Sequence, residues 1–204
     1  MHALVQDGSI IKYFDGYKGV TIGDIQYPKN IFTVWTDAEK AAIGIYEVIQ
    51  NNAKKKDEAY YTNTKQTFTY DADAGTVTAT YGDATAKAHA DTLFTADDED
   101  NGLGTEGEVK VEGLKTVKIR NIKLQAASEL ARTDWYIVRK ADAGTAVPSA
   151  ITTHRAAVRT KCAQMETAIT NASNTAAIET LYTYTRQEDG SVTRPLGELP
   201  TLEV

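Results

Sequence analysis

The spacing of the apolar residues changes along the chain, and this change limits the possible folds. In the front half, Thr67-Phe68-Thr69-Tyr70 alternates with a period of two, which is typical of a β-strand with one wet face. In the back half, apolar residues recur three, four or seven positions apart, as they do along one face of a helix. This helical set consists of Ile151, Val158, Cys162, Met165 and Ile169. The sequence therefore predicts an α+β protein with a β-rich front half and a helical back half.

Turn and cap signals divide the front half into short elements. Asp7-Gly8 lies between two apolar runs and predicts a hairpin, because Gly tolerates a positive φ. The residues 71–75 predict a second turn between two strands. Thr36 and Glu39 have the spacing of a capping box, so a short helix is expected to begin there. We expect the strands to form an antiparallel sheet.

An acidic, Gly-rich stretch at residues 97–107 separates the two halves and predicts an exposed connector. We therefore expect a β-rich domain over residues 1–104 and a helical domain over residues 105–185. The remaining residues, 186–204, contain two prolines and predict an extended C-terminal tail.

Three helices are expected in the back half. The first runs from Glu108 to about Ala131, and a loop containing Thr133-Asp134-Trp135 follows it. Pro148 opens the second helix, because a fixed φ and a missing N–H are tolerated at a helix start. Asn174 caps the third. Since the connections are brief, these helices should pack as an antiparallel hairpin.

Composition and charge exclude several classes of protein. The 204 residues are 42% hydrophobic and 25% charged, which is ordinary for a folded protein. A net charge of −6 argues against a general nucleic-acid surface, which needs clustered Lys and Arg. No apolar run approaches the length of a membrane span, and the start resembles no signal peptide. We expect a soluble protein made in the cytoplasm, with neither nucleic acid nor membrane as a partner.

Candidate catalytic groups are scarce in this sequence. The three histidines lie in different contexts, and a buried apolar role is the ordinary one for the single cysteine, Cys162. His154 precedes Cys162 by eight positions on one predicted helix, which is too far for a direct hydrogen bond. The sequence predicts no enzyme activity.

One acidic segment has the outline of a calcium-binding loop. Counting Asp97 as the first position, oxygen side chains fall at positions 1, 3 and 5, Gly at 6 and Glu at 12. The candidate ligands are Asp97, Glu99, Asn101 and Glu108. Glu99 is longer than the Asp or Asn expected at its position, and acidic connectors produce such outlines by chance. A solvated linker is the preferred interpretation, calcium is the alternative, and no other cofactor is expected.

The segment from Arg120 to Arg159, about a fifth of the chain, resembles the tail assembly chaperone-like domain of tailed bacteriophages. That pattern combines an upstream Arg, an apolar pair, Ser or Thr before Asp-Trp, a Pro-containing loop and a helix with two Arg one turn apart. The matching positions are Arg120, Leu130, Thr133, Asp134, Trp135, Pro148, Arg155 and Arg159. Ala131, His154 and Val158 depart from the pattern.

The resemblance implies a non-enzymatic virion protein that docks onto other phage tail or virion proteins. The heptad seam from Ile151 to Ile169 is compatible both with packing inside one chain and with a homo-oligomer that shares it. A transient tail or tail-fibre assembly chaperone is the alternative. The implied partner-binding residues are Asp134, Trp135, Arg155 and Arg159, and Asp134 is expected to pair with one of the two arginines. Core packing of Trp135 and a solvated face for the arginines are the competing interpretations.

Overall fold

The protein is described by a computed structural model that covers residues 1–16 and 18–202. Strands and helices are segregated along the chain, so the fold is α+β as the apolar spacing predicts. The chain divides into two compact units, Met1–Thr85 and Ala86–Val204. The first unit contains the main sheet, and the second contains the long helices.

The first unit begins with an antiparallel hairpin and ends with a second one. Its elements are β1 (His2–Gln6), β2 (Ser9–Phe14), β3 (Val20–Ile22), β4 (Ile25–Tyr27), α1 (Ile31–Val34), α2 (Asp37–Ala42), β5 (Ile45–Asn51), β6 (Tyr61–Thr62), β7 (Thr67–Asp71) and β8 (Thr76–Thr80). The hairpin turn at Asp7-Gly8 has positive φ at both residues, as the Asp-Gly signal predicts. The capping box of Thr36 and Glu39 at the start of α2 is confirmed.

The main sheet has the strand order β2-β1-β5-β8-β7. Three of its four pairings are antiparallel, but β5 and β8 are parallel, so the expectation of an antiparallel sheet is wrong at this pair. The reason is the long connection over residues 52–75, which gives the chain room to cross over and re-enter in the same direction.

Both faces of this sheet are covered by apolar side chains. Because side chains alternate along a strand, Leu4 packs on one face with Phe14, Ile31 and Ile45, while its neighbours Ala3 and Val5 pack on the other. The two edge strands approach each other, since the rings of Tyr13 and Phe68 lie 4.7 Å apart. The sheet is therefore curled around the apolar cluster that contains Ala3 and Val5.

In the second unit, a small strand pair precedes four helices. The elements are β9 (Thr85–Ala86), which spans the division between the units, β10 (Thr92–Leu93), α3 (Ala96–Asp100), β11 (Val109–Val111), α4 (Leu114–Ala131), α5 (Asp134–Ala143), α6 (Ser149–Asn171), α7 (Thr175–Tyr182), β12 (Thr185–Arg186) and β13 (Val192–Thr193). The expected boundary at residue 104 falls inside this unit, because β11 pairs with β10 across the acidic stretch.

Two helix limits differ from the sequence-based prediction. The first long helix begins at Leu114 and not at Glu108, because Val109–Val111 pairs as a strand and Gly113 lies against the Ala90 backbone. The Asp134-Trp135 segment was expected in a loop, but it opens α5. Asp134 suits this position because an acidic side chain stabilises a helix N-terminus, and Gly144 ends the helix with a φ of 70°.

The core of the second unit lies between α4 and α6. All five residues of the predicted seam on α6 are buried, and four of them, Val158, Cys162, Met165 and Ile169, pack in one cluster with Ile122 and Ala126 of α4. The start of this helix at Pro148 and the Asn174 cap of α7 are also confirmed. The tail is not wholly extended, since it contains the β12–β13 hairpin and buries Leu196 in the same core.

Replacing Met165 with Ala should lower the free energy of unfolding of the second unit by about 2–5 kcal/mol, because Met165 is fully packed and a cavity would remain. Gln164→Ala, at the exposed neighbouring position, is the control and should change it by less than about 0.5 kcal/mol. Chemical denaturation followed by circular dichroism measures both. Equal effects of the two substitutions would contradict this account of the core.

A candidate docking site on the second unit

A buried arginine holds the turn between α4 and α5. Nη1 of Arg155 donates to the Leu130 carbonyl oxygen at 2.7 Å and to Thr133 Oγ1 at 2.7 Å, and it lies 2.8 Å from Asp134 Oδ1. Arg155 and Thr133 are buried, whereas the Asp134 carboxylate is mostly exposed. The Leu130 carbonyl oxygen at the end of α4 also accepts from the amide and the hydroxyl of Thr133, so the guanidinium adds a charged donor to this turn and fixes where α5 starts.

This arrangement gives the sequence-predicted residues distinct places. Asp134 pairs with Arg155, which is one of the two arginines expected as its partner. The contact joins Asp134 Oδ1 to Nη1 of the guanidinium. Arg159 is exposed on the next turn of α6. Of the four implied partner-binding residues, Asp134 and Arg155 are therefore in contact, Trp135 follows Asp134 in the sequence, and Arg159 lies apart from them.

The helix α5 exposes an apolar face. All ten of its residues are described by the structure, and none of them is buried. Trp135 is 52% exposed, and Val138, about one turn further along the same side of the helix, is 65% exposed. The half-buried side carries Tyr136 and Arg139, whose guanidinium carbon lies 4.7 Å from the Trp135 ring centre. Core packing of Trp135 is thus excluded within this unit.

An exposed apolar helix face of this kind is a feature of protein-binding surfaces. Apolar patches on a soluble surface commonly mark interaction sites, and Trp, Tyr and Arg are the residues most enriched among energetically important contacts. The face defined by Trp135 and Val138 is called the α5 face below. Arg155 holds the helix in one orientation, so the α5 face is presented without further folding.

A second polar cluster lies one residue before this turn, around Glu129. Its carboxylate accepts a hydrogen bond from the Leu202 amide at 3.1 Å, pairs with Arg132 at 3.1 Å and lies 3.2 Å from His154 Nε2. Partial burial would raise the pKa of Glu129, but the hydrogen bonds from Arg132 and Leu202 outweigh it and hold the pKa below its ordinary value. Glu129 therefore fastens the C-terminal tail to α4.

Sequence reasoning missed Glu129. A signal was nonetheless present, since Glu129 is the single acidic residue of α4 among several Lys and Arg. A lone acid on a basic helix, one position before the apolar Leu130, indicates a specific partner. Its distant partner, Leu202, carries no sequence signal because the contact uses a backbone amide.

The four candidate calcium ligands do not converge. Asp97 and Glu99 lie in α3, whereas an EF-hand loop needs non-helical backbone there. Glu99 instead accepts a hydrogen bond from the Glu106 amide, and Asn101 donates to the Asp97 carbonyl oxygen. Within residues 1–16 and 18–202, no group of three metal-ligating side chains is assembled.

Thr95 and Asp98 explain why this segment is helical. They form a capping box, and Lys110 also binds the Asp98 carboxylate at 2.7 Å. The hydrogen bonds from Lys110 and from the Thr95 amide lower the pKa of Asp98 to about 2. The most strongly engaged carboxylate of the acidic segment is therefore used in the fold of the segment itself.

Cys162 lies in the helical core, where its thiol is unsuited to nucleophilic chemistry. Burial raises the pKa of the Cys162 thiol, and the neighbouring Glu166 carboxylate, 3.3 Å from Sγ, raises it further. Since the thiolate is the reactive form, both effects keep the group protonated.

Replacing Arg155 with Ala should lower the free energy of unfolding by about 1–3 kcal/mol, because the Leu130 carbonyl oxygen and the buried Thr133 hydroxyl would each lose a charge-assisted hydrogen bond from the guanidinium. The matched control is Arg159→Ala, on the exposed next turn of α6, with an expected change below about 0.5 kcal/mol. Chemical denaturation measures both. A neutral Arg155→Ala would show that the turn does not need the guanidinium.

The fastening of the tail should weaken in acid. Because the pKa of Glu129 is lowered on folding, its contribution is complete above its ordinary value of 4.5 and is lost as the pH falls through the lowered pKa. The protection factor of the Leu202 amide, which is its exchange rate corrected for the intrinsic rate at each pH, should report this loss when it is followed by NMR from pH 7 downwards. Glu129→Gln should remove the pH dependence, whereas Glu188→Gln in the exposed β12–β13 turn should retain it. An unchanged profile in Glu129→Gln would contradict the assignment.

Comparisons with protein-family models, with curated protein sequences and with solved structures found no match to this chain. Separately, no helix within residues 1–16 and 18–202 has the length and hydropathy of a membrane span. The resemblance to the phage chaperone-like domain therefore depends on the quoted sequence positions, from Arg120 to Arg159.

Proposed function

We propose that this chain is a non-enzymatic structural component of a tailed-phage virion, in a tail, baseplate or fibre-attachment position. It is made in the host cytoplasm and acts by docking onto other virion proteins. The observation that carries the proposal is the Arg155 turn. Leu130, Thr133, Asp134 and Arg155 are positions on which the resemblance depends, and in the structure they meet in one set of contacts.

The second support is the way this turn presents the α5 face. A surface that is already rigid loses less conformational entropy on binding, so each apolar contact contributes more to affinity. Arg155 supplies the rigidity, and Trp135 with Val138 supplies apolar area that is exposed to solvent. The arrangement suits a lasting contact with another protein.

A transient tail or tail-fibre assembly chaperone is the second candidate. The same α5 face favours it, because a chaperone must offer exposed apolar surface to a client before the client is assembled. The two functions use the same surface. They differ in whether the chain remains in the mature particle. A calcium-regulated module is not supported, since Asp97, Glu99, Asn101 and Glu108 are not assembled into one site.

Quantitative mass spectrometry of purified particles of the encoding phage tests the proposal. We expect peptides of this chain at a fixed integer ratio to a tail protein of known copy number. Absence from particles, together with a complex with a tail protein in infected lysate, would replace the structural role by the chaperone role. Absence from particles and from every such complex would overturn both.

The α5 face is tested in the same experiment by complementation. Val138→Asp places a charge in the centre of the face, so the chain should be depleted from particles by about tenfold or more. Val34→Asp, at an exposed valine of the first unit, is the matched control and should be incorporated normally. Circular dichroism of both purified variants shows whether they fold. Normal incorporation of a folded Val138→Asp chain would remove the α5 face from the proposal.

A further inference from the structure

A shallow apolar depression lies along one side of α4. Its volume is about 520 Å³, and its lining residues recur at helical spacing on one stripe: Thr116, Ile119, Arg120, Lys123, Leu124 and Ala127. Leu124 is 62% exposed, whereas Ile122 and Ala126 on the other side of α4 are buried against α6. Ile119 also packs against the helical core, so the depression, called the α4 groove below, is an apolar strip at the edge of that core with Leu124 exposed on it.

The α4 groove is basic at its margins. Arg120 and Lys123 lie in its lining, and Lys115 and Lys118 belong to the same helix. The acid of α4, Glu129, is engaged by Arg132, His154 and Leu202. Because the whole chain carries a net charge of −6, this helix is a basic region on an acidic protein.

Arg120 and Lys123 are each paired with an acidic side chain of the described part of the unit. Arg120 pairs with Glu112, and Lys123 pairs with Glu166 at 3.1 Å. Both basic side chains are half-exposed or more, and exposed ion pairs of this kind contribute little to stability. They can therefore be shared with, or exchanged for, carboxylates brought by a partner.

A second exposed segment of the same chain is acidic, whereas the α4 groove is basic. Leu103 is 62% exposed at the end of α3, and the exposed acids Asp97, Asp100 and Glu106 surround it in sequence. The turn that presents Leu103 is fixed, since its amide donates to the Asp98 carbonyl oxygen and Gly104 packs closely on the Phe94 ring. This exposed leucine with its acids is called the acidic knob.

We propose that the α4 groove binds the acidic knob of a second copy of this chain. Leu103 would lie on the apolar strip beside Leu124, and Asp100 and Glu106 would face Arg120 and Lys123. The match in both polarity and charge favours a second copy as the occupant. Since Leu103 and Leu124 are both well exposed, the knob of a chain does not fill its own groove.

Groove and knob are different surfaces, so the contact is head-to-tail. Such contacts leave one free groove and one free knob on every open assembly. They therefore build filaments, or rings where the rotation closes, instead of twofold dimers. This inference goes beyond the proposed virion role, because it concerns copies of this chain and uses none of the α5 face. A single knob is small, so the contact is expected to be weak and to weaken further with salt.

Sedimentation velocity with two complementary variants tests the proposal. Leu124→Asp blocks the groove and keeps the knob, and Leu103→Asp does the reverse. Wild-type chain should self-associate in a concentration- and salt-dependent way between micromolar and millimolar concentration. Each variant alone should associate about tenfold or more weakly. A mixture of the two should form a one-to-one complex through the remaining groove and knob.

Val192→Asp, at an exposed valine on β13, is the matched control and should associate like the wild type. The substituted positions are all exposed, and circular dichroism confirms that the variants are folded. A wild-type chain that stays monomeric at millimolar concentration would overturn the proposal. So would self-association that survives both leucine substitutions, or a mixture that forms no complex although each variant has lost association. None of these outcomes bears on the presence of the chain in particles.

Discussion

The guanidinium of Arg155 is the contact on which the geometry of the helical unit depends. Three chain segments meet there, since Arg155 projects from α6 to the last turn of α4 and the first residue of α5. A buried guanidinium is stable only when its donors are matched by acceptors, so the Leu130 carbonyl oxygen, Thr133 and Asp134 must stay close together. The direction of α5, and with it the direction of the α5 face, follows from this requirement.

The apolar seam of α6 could be predicted from sequence, whereas the limits of the preceding elements could not. Ile151, Val158, Cys162, Met165 and Ile169 show their role by spacing alone, because one face of a long helix must be apolar to form a core. Residues 108–113 were predicted to be helical but are not part of α4, and this difference has another origin. Val109–Val111 becomes a strand only because Thr92–Leu93 is available for pairing, and a local pattern contains no information about that partner.

The candidate site was predictable in composition and not in geometry. The Asp-Trp pair and the two arginines indicated a site, but both arginines were candidates for Asp134. Burial decides between them, since Arg155 lies on the core side of α6 and Arg159 lies one turn further on the exposed side. The segment after Thr133 contains four apolar or aromatic residues in a row, so its pattern does not show which side of α5 faces the solvent.

The contacts of Glu129 change how the C-terminal tail is understood. Glu129 and Leu130 are neighbours on α4, as His154 and Arg155 are on α6. Glu129, with His154 beside it, binds the Leu202 amide. Leu130 and Arg155 form the turn that orients α5. Leu196 adds an apolar anchor in the α4–α6 core. The tail is therefore part of the support beneath the α5 turn, so any partner that displaced it would act on the same two turns of helix that position the α5 face.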